Sequence, residues 1–522
     1  MCGIAGVLRI SERSGHRDLA SLATAMSATL KHRGPDADGS WADNDKGIAV
    51  GHRRLSVIDL STSGAQPMLS ASGRYVLSYN GEIYNYQSLR QVLEVKGHRF
   101  EGSSDTEVLL AVIEHYGVAQ SLSELIGMYA FALWDRQEQQ LFLVRDRMGE
   151  KPLYYGIIGG AFVFASELKA FNAVPGWQKA IDRTMLAGYF HYGFVPGSRS
   201  IYSDIYRLLP GSFLQLNSPI TTSDIHKDLS PDFSSANVNY QRYWQALAGP
   251  DTSYAGKPVA MNDIGDELLM LLRQSVERQC IADVPLGALL SGGIDSSTVV
   301  ALMQEVSSKP VKTFSIGFEE VGYNEAHHAA MVADRLGTDH TELYVRQQDA
   351  LDVIPNLSDV YDEPFADVSQ IPTILVSRLA RRYVTVALSG DGGDELFGGY
   401  TRYFWSKRIW DAVNKTPNGV RKLVSKSLLA TPVTWIQTAY NGIAPILPQS
   451  LRQNNVADKV HKLGGLLTSP SLQKVYQHTL QHWPRYPSLV MNMSDNMLLD
   501  YVSDYCPPVA RTAEMLYADT VT

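Results

Sequence analysis

The stretch Leu289–Val300, LLSGGIDSSTVV, decides the architecture of the second half of this 522-residue chain. An apolar strand runs into Ser291-Gly292-Gly293, and Asp295-Ser296-Ser297 then opens a helix. Paired glycines let the backbone approach a ligand, and a helix N-terminus aims unpaired N–H groups at it. Ser291, Ser296 and Ser297 add hydroxyl donors, so the pattern reads as a phosphate site. A strand, a turn and serine caps could share this composition without binding anything. Asp295 is out of place beside a phosphate unless a cation lies between, which points to magnesium. The stretch lacks both a Walker GK[ST] and a GxGxxG fingerprint.

Outward from this loop, strands alternate with helices. DIGDELLMLLRQSVERQC (263–280) precedes the strand LGALL; KTFSIGF (312–318), a helix from Asn324 to Leu336, HTELYV (340–345) and YVTVALS (383–389) follow. That rhythm implies a parallel sheet with helices on its faces. A second acidic glycine loop, LSGDGGDELFGGY (388–400), follows the last strand. Loops at the carboxyl ends of parallel strands converge on one crevice, so Asp391 and Asp394 are expected to reach the cation near Asp295. After Gly399 the sequence turns helical and aromatic.

The first two hundred residues read differently, as short strands joined by turns with a few helices. VLSYNGEIYN (76–85) turns at Asn80-Gly81, FALWD and LFLVRD flank a charged connection, and helical periodicity appears at Leu89–Val95 and Glu107–Tyr116. This is an α+β layered sandwich pattern. A Ser-, Asn- and Asp-rich stretch follows the strand LPGSFLQL. The expected organisation is therefore 1–215 as the first domain, 216–257 as a connection and 258–522 as the second domain.

Bulk properties narrow the function. With 45% apolar residues the chain can build several cores, and its length predicts more than one domain. A net charge of −8 argues against a nucleic-acid partner. Cys2, Cys280 and Cys506 are odd in number and in no metal-ligand spacing, which suits a reducing compartment. Neither a secretory signal nor an apolar run near membrane-spanning length is visible, so the cytoplasm is the expected location.

At the N-terminus, MCGIAG places a cysteine behind the initiator methionine. Removal of Met1 would leave Cys2 with a free amine beside its thiol. From these residues alone, a buried strand start is the plainer reading. The order of motifs changes this: MCGIAG, HRGPDADG, HRRLSVIDL, AQPM, YNGEIYN, SSDTE, RDRMGEKPLYY and FASELKA occur in sequence, followed by YNEAHHAAMVADRLGTDHTE and DEPFADVSQIPT. With these the chain resembles the glutamine-hydrolysing asparagine synthetases, and SGGIDS resembles the loop of ATP pyrophosphatases.

The resemblance implies an N-terminal Ntn-hydrolase αββα sandwich and a Rossmann-like parallel α/β ATP-pyrophosphatase domain. Cys2 would be the nucleophile with its own amine as base, and Asn80 with the Gly81 N–H the oxyanion hole. Arg53 would pair with glutamine's carboxylate and Asp105 with its ammonium, in a pocket shared with Leu55, Ser56, Val57 and Glu82. ATP would meet Leu289, Ser291, Gly292, Gly293, Asp295, Ser296, Ile316, Ser389 and Gly390; Asp391 would serve adenylation, and magnesium would lie at Asp295 and Asp394. Asp362–Ser369 would line the acceptor site, and Met128 and Tyr129 are candidates for a tunnel wall or for core. Glutamine, aspartate and ATP are the implied small-molecule partners, and the resemblance allows a homodimer. EMLYADTVT ends inside a segment that in the family continues to an adenylation lysine, so the sequence predicts an intact glutaminase site with impaired synthetase chemistry. Amidation of a sugar or peptide carboxylate, and a non-catalytic sensing module, are the alternatives; Cys2 argues against the β-lactam-forming relatives.

Overall fold

The computed structural model describes residues 1–10, 18–225, 231–245, 261–318, 325–446, 456–482 and 490. Cys506, Asn324, most of 226–260 and the final residues 491–522 lie outside the described residues. The chain divides into two compact units. The first holds Met1–Met185 and Val195–Asp391, and the second holds Leu186–Phe194 with the residues from Gly392 on.

Among the described residues the first unit contains seventeen strands in chain order: β1 (Gly3–Arg9), β2 (Ala37–Asp43), β3 (Ile48–Arg54), β4 (Met68–Leu69), β5 (Tyr75–Ile83), β6 (Gly127–Asp135), β7 (Gln140–Arg145), β8 (Tyr154–Ile158) and β9 (Ala161–Ala165) come first. They continue with β10 (Ile205–Arg207), β11 (Ser212–Asn217), β12 (Phe233–Ser234), β13 (Val238–Arg242), β14 (Leu286–Leu289), β15 (Lys312–Phe318), β16 (Asp339–Val345) and β17 (Val386–Leu388). Antiparallel strands form one sheet in the order β10-β8-β9-β1-β3-β2 and a second in the order β12-β13-β11-β7-β6-β5-β4.

The two sheets face each other across a core that includes Ile4, Val50, Ala132, Leu143, Phe164 and Leu214. Helix Leu19–Ala28 covers the outside of the first sheet. Helices Tyr86–Val95 and Asp105–Tyr116 pack on the outside of the second, through Leu93, Val108, Val112 and Ile113. The predicted sandwich is thus a four-layer αββα arrangement. Part of 216–257 is ordered rather than irregular. Val238 and Tyr240 alternate inward on β13, which pairs antiparallel with β11 and extends the second sheet. Polar neighbours in the sequence hide this two-residue period.

The third sheet is parallel, in the order β16-β15-β14-β17, as the alternating pattern predicts. Helices Ile294–Val306 and Ala326–Leu336 cover one face through Val300, Met303, Ala329 and Ala333; helix Gln370–Ala380 covers the other at Phe314. The strand after Tyr383 is shorter than its sequence suggests. Val384 N–H still bonds back to Ala380 O, so the chain is released into extended geometry only near Val386.

Charged side chains tie the sandwich to the parallel sheet. Glu363 accepts from Tyr154 Oη at 2.9 Å and Ile201 N at 2.8 Å, and is ion-paired with Arg207. Asp362 accepts from Lys169 N at 2.7 Å, and Asp283 accepts from Asp59 N at 2.8 Å. Both acids of the Asp362-Glu363 pair thus carry bonds that hold the two sheet systems together. In the second unit, described helices include Thr401–Lys415, Asn418–Ala430, Val456–Leu466 and Leu472–Leu480, with Tyr403 stacked on Tyr476.

Gly51 on β3 lets helix Leu19–Ala28 approach: a Cβ there would stand 2.5 Å from Ala23 O, a backbone atom that cannot yield. Gly51→Ala should therefore destabilise the first unit by about 1–3 kcal/mol, the usual cost of overpacking. A lowered urea midpoint is the expected reading, and an unchanged one counts against this packing.

Candidate functional site

A cavity of about 330 Å³ opens beside the N-terminus, lined among others by Met1, Cys2, Arg54, Leu55, Asn80, Gly81, Glu82 and Asp105. The pairing of β1 with β3 sets Gly3 opposite Arg53, which brings Cys2 to the Leu55 backbone. The thiol donates to Leu55 O at 3.7 Å, and Leu55 N donates back to Sγ at 3.4 Å. Arg33 Nε fixes the Cys2 carbonyl at 2.8 Å. Burial pushes the thiol up from its ordinary range, so the free thiol, not the thiolate, is the resting form at neutral pH.

Asn80 is fully buried, and neither Nδ2 nor Oδ1 has a hydrogen-bond partner among the described residues. An orphaned buried amide costs about 1–3 kcal/mol, and such a group in a cavity wall reads as a donor held ready for a ligand. Asp105 sits at the cavity floor, where it accepts from Tyr79 Oη at 2.7 Å and Ile83 N at 3.0 Å. Burial raises its pKa in spite of these donors. Glu82 is pushed up to about 7, first by burial and then by the Asp105 charge. Two neighbouring carboxyls in a half-enclosed pocket suit a ligand that brings its own cation.

The neighbouring arginines divide. Arg53 does not line this cavity: its Nη1 donates to Asp38 Oδ1 at 2.8 Å. Arg54 does line it, with its guanidinium steadied by Ser61 O at 2.8 Å and by Asp59 O. Alternation along β3 explains the difference. Ile48, Val50 and His52 face the sandwich interior, where His52 Nε2 meets Tyr79 O at 2.9 Å, and Arg54 continues that row. Leu55 and Val57 line the cavity, but Ser56 lies in an adjoining cleft of about 520 Å³, its N–H bonded to Asp36.

Met128, a candidate for tunnel wall or core, lines the Cys2 cavity, as do residues not singled out in the sequence: Gln66, Lys151, and Thr385, Val386 and Ala387 of the parallel-sheet system. Tyr129 is core, its hydroxyl 3.0 Å from that of Tyr243. The contribution from Thr385–Ala387 has no sequence signal, because it depends on how β17 meets the sandwich.

The phosphate-type loop follows β14 as expected. Gly292 holds φ +79, and a Cβ there would stand 2.7 Å from Ala329 N, so only glycine fits against helix Ala326–Leu336. Ser291 Oγ and Ser296 Oγ lie 2.9 Å apart, and the buried Ser297 Oγ is without a partner among the described residues. Gly390 closes on the same place, where a Cβ would stand 2.6 Å from Ser296 N. The loops after β14 and β17 thus meet, bringing Ser389, Gly390 and Asp391 to the start of helix Ile294–Val306; Ser389 Oγ donates to Asp391 at 2.9 Å. Leu289 and Ile316 pack into the clusters below the loop. Asp394 belongs to the second unit, where its carboxylate abuts Gly399. Among the described residues no group of three His, Cys, Asp or Glu side chains could hold a metal ion. A cation at Asp295 would need ligand phosphate oxygens to complete its shell, as magnesium commonly does.

Two families match successive parts of the chain. Residues 1–226 match the glutamine amidotransferase domain family, and residues 267–520 match the asparagine synthase family. Asparagine synthetase (glutamine-hydrolysing) 1 of Bacillus subtilis is 34% identical over 465 residues, which is 87% of this chain and 69% of that protein. The putative asparagine synthetase (glutamine-hydrolysing) 2 of Methanocaldococcus jannaschii is 36% identical over 461 residues, covering 84% of this chain and 83% of that one. Amidase chry2 of Gibberella zeae is 31% identical over 495 residues, 90% of this chain and 69% of its own. No helix among the described residues is long and apolar enough to cross a membrane.

The raised thiol makes a direct prediction for the chain that still carries Met1. Alkylation of Cys2 by iodoacetamide, followed by peptide mass spectrometry, should be slow at neutral pH and climb only above the ordinary thiol range near 8.5. Rapid labelling at pH 7 would contradict the buried, protonated thiol.

Proposed function

Because the chain belongs to the glutamine-hydrolysing asparagine synthetase family, we propose that it hydrolyses glutamine at Cys2 and uses the ammonia to amidate aspartate at the ATP site. The observation that carries the first half is the orphaned, fully buried Asn80 amide in the wall of the Cys2 cavity. In this reading the sandwich is of the Ntn-hydrolase type, and Met1 is removed. The Cys2 thiol passes its proton to the new α-amine, and sulphur attacks the side-chain amide carbon of glutamine. The oxyanion that forms is met by Asn80 and the Gly81 N–H. The amine returns the proton to the leaving nitrogen, ammonia departs, and water then cleaves the thioester to glutamate.

Arg54 takes the substrate carboxylate in this scheme, since it and not Arg53 lines the cavity, and a guanidinium fork fits a carboxylate. Asp105 and Glu82 take the ammonium. Glutamine binding should then weaken as pH falls through about 7, because Glu82 gains a proton and loses its charge.

At the second site, an oxygen of aspartate's β-carboxylate attacks the α-phosphorus of ATP and pyrophosphate leaves. Ammonia attacks the resulting acyl phosphate carbon and displaces AMP. The Ser291–Gly293 loop, Ser296 and the helix start would hold the phosphates, and Gly390 and Asp391 would close on them from β17. Magnesium would be held by Asp295 with phosphate oxygens and would neutralise charge on the departing pyrophosphate. Support for transfer between the sites is the chain itself: Thr385–Ala387 line the glutamine cavity, and Asp391 follows within a few residues.

Ammonia release from glutamine tests the first half. Cys2→Ala should abolish it, and Asn80→Ala should lower kcat by about 10²–10³. Arg54→Ala should raise KM for glutamine far more than Arg53→Ala; equal effects would refute the assignment to Arg54. The likeness to an amidase favours keeping other carboxylates as a second reading. Product analysis with aspartate against sugar or peptide carboxylates decides between them, and absence of asparagine would overturn the aspartate reading.

A further inference from the structure

Lys151 is 4% exposed, yet the only hydrogen bond its ammonium makes among the described residues is to the sulphur of Met1, at 3.3 Å. Thioether sulphur is a weak acceptor. A buried cation normally carries a full complement of partners, because an unpaired one is costly. Arg33 Nη2 reaches the same sulphur at 3.7 Å, and Arg33 Nε holds the Cys2 carbonyl. Two cations therefore flank the chain start from different elements, Arg33 from the turn before β2, where Glu167 pairs with it at 2.6 Å, and Lys151 from the loop before β8. Glu82, Asp105 and Arg54 line the same cavity as Lys151 and Cys2, and Glu82, Glu150 and Asp146 act electrostatically on Lys151.

This arrangement makes little sense as a site for methionine, whose only contribution is to cap a lysine. It has a clear use once Met1 is gone. We propose that Lys151 is a positioning residue for the terminal base: its ammonium, capped by the methionine sulphur while Met1 is present, faces the α-amine of Cys2 in the processed chain and keeps that amine uncharged. Like charges in a partly desolvated pocket disfavour each other, and the α-amine, ordinarily near 7.7–8.0 against about 10.4 for a lysine, gives up its proton first. The amine that results can accept the thiol proton at neutral pH. In the unprocessed chain burial already pushes the Met1 amine down to about 5; Arg33 and Lys151 push in the same direction, and Cys2 and Glu82 oppose them.

The inference rests on the proposed role of Cys2 as an N-terminal nucleophile, and the experiment separates the two. The purified full chain is first weighed: a retained Met1, or ammonia release that survives Cys2→Ala, overturns the underlying reading and this inference with it. With Met1 absent, the α-amine is titrated through the pH dependence of its acylation by labelled acetic anhydride. That readout follows the amine itself and not Glu82. Wild type should titrate below the ordinary α-amino range of about 7.7–8.0. An ordinary value in wild type overturns the inference without any variant.

Lys151→Met keeps the length and removes the charge. It should raise the amine's midpoint by about 0.5–1 pH unit, and kcat for glutamine hydrolysis at the foot of the acid limb should fall about three- to tenfold. The two proteins should converge at high pH, and Lys151→Arg should restore the wild-type profile. A loss of activity equal at every pH, or an unmoved midpoint in Lys151→Met, would show that Lys151 only supports the fold and would sink the inference.

Discussion

Glu363 is the point on which the arrangement of the first unit turns. A carboxylate this enclosed is costly unless every oxygen finds a donor, and Tyr154, Ile201 and Arg207 supply them from the sandwich side. Lys169 does the same for Asp362, and the exposed Asp283 adds a bond from the Asp59 backbone. Such a seam tolerates one register, since any sliding would strand charge away from water. That register presents β17 to the Cys2 cavity, so a site assembled by β1, β3 and β5 borrows a wall from the parallel sheet.

The same demand for satisfied charge separates what is left unsatisfied. Asn80 and Lys151 are buried and short of partners, as is the Oγ of Ser297 among the described residues, and all three lie at the two candidate sites. Elsewhere Arg145 spends its guanidinium on the carbonyls of Lys151, Leu208 and Gly149, and thereby fixes the loop that carries the Lys151 side chain. Rigid framework and unspent polarity sit a residue apart.

Much of this was legible in the sequence. Period-two alternation gave the sandwich strands, strand–helix alternation gave the parallel sheet, and glycine loops after two strands marked the place where Gly390 meets Ser296. What was not legible had specific causes. In HRRLSV two adjacent arginines look equivalent, and only the pairing of β3 decides that Arg54 joins the interior row with His52. The polar composition around 216–257 concealed β13, whose inward residues are few. DEPFADV is assigned to the acceptor site by resemblance alone, and nothing local shows that its acids bond to partners some 150–200 residues earlier in the chain. Long-range pairing of charge leaves no local pattern.

The wall formed by Thr385–Ala387 has a consequence for how such a protein could arise or be dismantled. The sandwich half is not a closed module. A sandwich cut free after β13 would retain Cys2 and the Asn80 amide, but its cavity would lie open to solvent on one side, so in the proposed reaction ammonia would escape and pick up a proton. Joining the two halves is therefore more than tethering two catalysts on a single polypeptide. The second fold completes the container in which the first one works, and recombination between homologues would have to preserve that shared surface before it could exchange substrate specificity.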